Sequence, residues 1–218
     1  MNDIPIFPLH TVLFPGMPMH LHIFEERYKA MVNYCLEKDS PFGIIMIRKG
    51  QEAYDNKIEP YDIGCTASIR DVEQLENGKM NISLAGLDRF IIRSLNREKA
   101  FLSAQVEFIE LGGAADLDAK IPSILRSDII RYLKVTQYSR DRKIDPKNLR
   151  MPDIPEYALY LAVTLLSIPS YEKQNLLEMQ QADEFTDEVF RIIRRETSIY
   201  TKYPFRKQKN MRRSSWLN

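Results

Sequence analysis

Ile4-Pro5-Ile6-Phe7-Pro8-Leu9-His10-Thr11-Val12-Leu13-Phe14-Pro15-Gly16, continuing as Met17-Pro18-Met19-His20-Leu21-His22-Ile23-Phe24-Glu25-Glu26-Arg27-Tyr28, is the stretch whose reading decides the fold. An apolar segment punctuated by proline, with a Pro15-Gly16 turn signal, describes a short edge strand that stops, bends and restarts over His20 to Phe24. Glu25 and Glu26 then fall where a helix N-terminus favours negative charge. Tyr28, Met31, Val32, Cys35 and Leu36 follow at the spacing of one apolar helical stripe, and Asp39-Ser40-Pro41 ends that helix. Phe42 to Ile47 is short, apolar and rich in β-branched residues, which reads as a strand buried on both faces.

From Ile63 the period becomes two, with Ile63, Cys65, Ala67 and Ile69 on one face and Met80, Ile82 and Leu84 after the turn. Asn77-Gly78 between them is a strong hairpin signal, because both turn residues must take positive φ. Phe90 to Leu95 and Leu102 to Ile109 supply two more strands. With Pro5 to Leu9 and His20 to Phe24 this makes about seven strands and one early helix, a small, partly closed antiparallel barrel. Gly112-Gly113-Ala114-Ala115 is the most flexible stretch and the natural boundary.

Beyond it the period is helical. Ile121, Ile124, Leu125, Ile129, Tyr132 and Leu133 share one side of a helix with Pro122 near its start. Ser139 to Pro155, charged and holding three prolines, reads as a long loop. Glu156 to Leu166 is a nearly all-round apolar helix, hence central. Ser170 opens a further helix, and Asp183 the last, whose stripe is Phe185, Val189, Ile192 and Ile193. The expected class is therefore α+β, a β domain over residues 1–111 followed by a helical subdomain over 116–198, a four-helix bundle, and a basic tail over 199–218.

Phe7-Pro8-Leu9, Val12-Leu13-Phe14-Pro15-Gly16, Leu21-x-Ile23-Phe24-Glu25-x-Arg27-Tyr28, Met31-Val32, Phe42-Gly43, Ile63-Gly64-Cys65-x-Ala67-x-Ile69, Asn77-Gly78 and Gly86-x-x-Arg89-Phe90 stand together in order and rough spacing. In this the chain resembles the N-terminal, substrate-recognition domain of Lon proteases, closely over about residues 4–110 and loosely over 120–197. The resemblance implies a PUA-like β pseudobarrel, recognition of polypeptide and no catalysis of its own. It also places Arg89 near Glu25 and Glu26, where barrel and first helix should meet, so that Glu25, Arg27 and Arg89 are expected to form structural ion pairs.

Composition narrows the function classes. The chain has 218 residues, 44% hydrophobic and 28% charged, enough for a substantial core. No apolar run approaches the roughly 18 residues of a membrane span. Met1-Asn2-Asp3 lacks the basic and apolar regions of a signal peptide, so a cytoplasmic setting is expected, where Cys35 and Cys65 serve as small buried hydrophobes. The net charge of +1 conceals an asymmetry, since six basic residues and no acid follow Glu196, leaving residues 1–196 with a net −5.

Motifs for chemistry are sparse. The eight glycines include no phosphate-cradling Gly-x-x-x-x-Gly-Lys-[Ser/Thr], and Gly78-Lys79 is followed by Met80. The ATPase module of a full-length Lon is therefore not expected, nor is its Ser-Lys peptidase site. No catalytic residue, cofactor or metal is assigned. His20-x-His22 could present two imidazoles on one strand face, but a stable site needs three or four ligands. Phe14, Met17 and Met19 form an adaptable peptide-contact patch if exposed, and plug one end of the barrel if buried. Lys202, Arg206, Lys207, Lys209, Arg212, Arg213 and Trp216, interleaved with other aromatics, offer an alternative function in nucleic-acid contact, against the plain reading of a solvated tail. The acidic body favours protein recognition: a module that binds unfolded or apolar polypeptide segments or a protein partner, with cooperation with a separate protease left open.

Overall fold

A computed structural model describes residues 2–50, 58–137 and 148–202. The chain divides into two units, Met1–Gly112 with Ser167–Gln180, and Gly113–Leu166 with Gln181–Asn218.

In the first unit the strands are β1 (Asn2–Leu9), β2 (Pro18–Ile23), β3 (Phe42–Lys49), β4 (Glu59–Pro60), β5 (Ile63–Gln74), β6 (Met80–Asn96) and β7 (Ser103–Ile109), with helix α1 (Glu26–Lys38) between β2 and β3. The sheet order is β1-β7-β6-β5-β3-β4, with β2 added on β6. The expectation of an antiparallel pseudobarrel is corrected here, because the sheet is mixed and is not a closed barrel. Its two short strands, β2 and β4, pair on one side only, with β6 and β3 respectively. Strand β1 divides its length between neighbours: Asn2–Pro5 register antiparallel with β7, and Ile6–Leu9 register parallel with β3. Pro5 and Pro8 each lack an N–H, so this strand cannot carry a full ladder on both sides.

The hairpin between β5 and β6 forms at the place the sequence marks, and Asn77 (φ 60°) and Gly78 (φ 66°) both adopt the left-handed conformation. Strand β6 is longer than expected. It runs unbroken through Gly86, which the pattern had suggested as a gap between two strands, and the register with β5 shifts between Cys65 and Ala67 and again between Ile69 and Asp71. Gly86 has a packing reason to be glycine, since a Cβ there would stand 2.2 Å from the carbonyl oxygen of Phe14. Two hydrogen bonds strap the Pro15-Gly16 turn to this point, Gly16 N–H to Gly86 O at 3.0 Å and Gly86 N–H to Met17 O at 2.9 Å.

Helix α1 buries Tyr28, Met31, Val32 and Cys35 of the stripe read from sequence, leaves Leu36 exposed, and stops where Asp39 turns left-handed with φ 48°. Helix α4 (Ser170–Glu178) belongs to this first unit. It is tied to the sheet by Gln174, fully buried, which donates to the carbonyl of Ile63 at 2.9 Å.

Among the described residues the second unit holds three helices, α2 (Ile121–Gln137), α3 (Pro155–Leu165) and α5 (Ala182–Lys202), where four were expected. Helix α3 buries Ala158, Leu159, Tyr160, Ala162 and Val163. Helix α5 presents Phe185, Val189, Ile192 and Ile193 to the core, each buried apolar side chain contributing about 1.5–3 kcal/mol. It continues through residues 199–202, which the sequence had placed in the tail, because Tyr200 is buried on the same stripe and meets Tyr132 edge to face at 6.1 Å. Among the described residues no helix is long and apolar enough to cross a membrane.

Candidate functional site

Two sequence segments of the first unit build a cavity of about 260 Å³. The first is the start of α1. Glu25 is its extended N-cap, which turns Arg27 and Tyr28 into the opening turn. Tyr28 is buried, with its ring stacked on Phe7 at 4.0 Å. The Arg27 guanidinium lies 4.5 Å over that ring and is held by Glu25, through Nε at 3.0 Å and Nη2 at 2.9 Å from Oε2.

The second is the turn from β6 into β7. Arg97 Nη2 donates to the carbonyl of Ile58 at 2.9 Å. Lys99 Nζ donates to Asp3 Oδ2 at 3.0 Å and stands 5.7 Å from the Tyr34 ring. That hydrogen bond to a carboxylate raises the lysine above its ordinary pKa. Phe101, buried, closes one wall, with Pro8, Ile58 and Leu102 adding apolar surface. Among the described residues the lining holds three cations, two of them paired with the Glu25 and Asp3 carboxylates just outside it, and no Ser, Cys or His that could act as a nucleophile or base. It can grip an anionic group with an apolar body.

A family model for the ATP-dependent protease La (LON) substrate-binding domain matches residues 3–195. The chain belongs to the Lon substrate-binding domain family. Lon protease 2 of Herpetosiphon aurantiacus is 26% identical over 185 residues, which are 84% of this chain and 22% of that protein. The Lon protease of Syntrophus aciditrophicus is 31% identical over 111 residues, 49% of this chain and 14% of its own length. The chain thus spans about a quarter or less of the curated relatives it matches. The crystal structure of a Lon N-terminal domain protein from Xanthomonas campestris shares the fold with a TM-score of 0.63 at 21% identity, covering 87% of this chain and 98% of that one. The N-terminal domain of Mycobacterium avium complex Lon protease gives a TM-score of 0.59 at 15% identity, covering 90% and 98%. What the chain matches is the non-catalytic, substrate-binding module of the Lon architecture.

The Lon-like motifs distribute unevenly around this site. Arg27 and Tyr28 line it, and Glu25 fixes Arg27. Arg89 is not brought to them. Its guanidinium, 3% exposed, donates through Nη1 to the carbonyls of Leu177 at 2.9 Å and Met179 at 2.5 Å, at the C-terminal end of α4. Phe14 and Met17 are 1% and 5% exposed and Met19 is half-buried, so of the two alternatives for the Pro-Gly turn these side chains take the buried one. The strap to Gly86 folds these side chains inward. His20 and His22 are exposed on β2 and bond across to β6, His20 Nδ1 with Ser83 Oγ at 3.0 Å and His22 Nδ1 with Asn81 Oδ1 at 2.8 Å. Among the described residues no group of three or more His, Cys, Asp or Glu is placed to hold a metal. Of the basic aromatic tail, Lys202 ends α5, while Arg206, Lys207, Lys209, Arg212, Arg213 and Trp216 lie outside the described residues.

Sequence reasoning missed Arg97, Lys99 and Phe101. Asn96-Arg97-Glu98-Lys99 reads as an ordinary solvated turn, and only the apolar pair Phe101-Leu102 directly after it hints that the turn is packed against something.

Proposed function

We propose that the protein recognises unfolded polypeptides by their exposed apolar segments and performs no chemistry on them. The observation that carries this reading is the match to the Lon substrate-binding family over residues 3–195. The pocket beside Arg27 supports it, since its walls offer grip without a nucleophile. A protease as the recipient of the bound polypeptide, joined or separate, is the finer part of the proposal and rests on the curated relatives being Lon proteases. Those bacterial relatives support a cytoplasmic setting at the level of the family.

The test is a titration of a labelled, permanently unfolded polypeptide with the full chain, without ATP. Saturable binding that moderate salt changes little is expected, because apolar burial dominates. Absence of saturable binding overturns the reading.

A further inference from the structure

We propose that the pocket beside Arg27 reads a carboxylate on the recognised polypeptide, standing next to an apolar or aromatic side chain. This rests on the polypeptide-recognition reading above and specifies its chemistry.

The charge pattern is the first argument. The unit that contains the pocket carries eighteen acidic and thirteen basic residues, yet the described residues of the lining include Arg27, Arg97 and Lys99 and no acid. A cationic hollow in an acidic body selects a local negative group while the surrounding field discourages polyanions. The second argument is preorganisation. Each cation is already held, Arg27 by Glu25, Arg97 by the Ile58 carbonyl and Lys99 by Asp3, so little side-chain entropy remains to be lost on binding. The third is size and surface. About 260 Å³ lies below the roughly 300–1,000 Å³ of sites for whole drug-sized ligands, and suits one residue with its neighbour. Tyr28 and Phe101 are 4% and 8% exposed, so they form walls and not platforms on which successive bases could stack. The ligand class is therefore polypeptide.

A carboxylate of this kind has two sources, the free C-terminus of a chain and an internal Asp or Glu. Three short unstructured peptides separate them: one ending in Phe-Leu with a free acid, the same peptide amidated, and the amidated peptide with one internal Glu beside Leu. Each is titrated by fluorescence anisotropy against the full chain and its Arg97→Ala, Lys99→Gln and Arg93→Ala variants, with circular dichroism confirming the fold. Arg93 is an exposed cation of β6 paired with Glu107 at 2.7 Å and lies outside the pocket lining.

The wild type should hold at least one carboxylate peptide about tenfold more tightly than the neutral one, and the tighter of the two names the source. Arg97→Ala and Lys99→Gln should each remove most of that difference, whereas Arg93→Ala should leave it within about twofold. Equal binding of acid and amide by the wild type overturns the pocket proposal and leaves polypeptide recognition standing. Loss of the difference in Arg93→Ala, or displacement of the peptides by single-stranded RNA, also overturns it. Failure of every peptide to bind overturns both.

Discussion

The guanidinium of Arg89 closes helix α4 by donating to the carbonyl oxygen of Leu177, eighty-eight residues further along the chain. The same nitrogen reaches Met179 O, so one buried cation satisfies two carbonyls that a helix end leaves without partners. Among the described residues no carboxylate pairs with Arg89, and its charge is met by the negative end of the helix. Its Nη2 and the Oε1 of Gln174 are both buried without a protein partner, which fits an internal water.

Arg89→Ala should therefore destabilise the first unit by about 3 kcal/mol, through two unsatisfied carbonyls and the cavity left behind. Arg89→Lys keeps the charge but not the planar fork, and should fall between the two. Urea denaturation of the full chain checks both. A midpoint equal to wild type for Arg89→Ala would mean that solvent replaces the guanidinium without penalty.

Gly86→Ala tests the strap at the Pro-Gly turn. The new Cβ would collide with the Phe14 carbonyl, which is backbone and cannot swing aside, so a loss above about 2 kcal/mol is expected. Gly113→Ala is the contrasting case. It meets nothing nearby and suffers only its positive φ of 75°, about 1 kcal/mol. Thermal melts showing the reverse order would refute the packing argument.

The two thiols should be silent in the native protein. Burial pushes Cys35 up to about 11, and burial raises Cys65 further still. At pH 8 neither should react with iodoacetamide, and both should do so in denaturant. The linkage has a sign: an unfolded thiol ionises near pH 8.5 while the folded one keeps its proton, so stability falls as pH rises from about 8.5 towards 11. Rapid native labelling of Cys65, followed by mass spectrometry, would contradict its burial.

Removal of residues 203–218 separates the two binding classes. Peptide affinity should stay within about twofold, because the pocket is built from residues 8–102. Any RNA binding of the full chain should vanish, together with a slope in log salt that the five cations removed would make steep. Tight RNA binding by the shortened protein, with no peptide binding, would overturn polypeptide recognition and place nucleic-acid contact on the fold instead of the tail.

The parts of this fold that repeat locally were legible in the sequence. The stripe of α1 up to Cys35, the alternation of Met80, Ile82 and Leu84, the Asn77-Gly78 turn and the stripe of α5 each depend on neighbours a few residues away, and the structure has them, whereas β5 starts with both faces buried over Ile63–Ala67. Long-range pairings leave no such trace. Nothing about Ile6–Leu9 announces a parallel partner in β3, and nothing about Arg89 announces that its acceptors are carbonyls, which carry no sequence signature at all. The sequence leaves open whether Phe14 and Met17 are exposed or buried for the same reason: only the backbone of Gly86, far along the chain, holds that Pro-Gly turn down. The pocket was hidden because its cations sit in two segments that each resemble ordinary charged surface.

The placement of α4 also has a consequence for how the protein is born. A ribosome adds about 5–20 residues per second, so Arg89 emerges some 4–18 s before Leu177 exists. Through that interval the nascent β5 and β6 lack the helix that receives Arg89 and sends Gln174 to the Ile63 carbonyl. The strands made first are thus finished last. A chain arrested anywhere in residues 113–166 holds every strand of the sheet and still cannot complete it, which makes this the stage at which a chaperone would matter most.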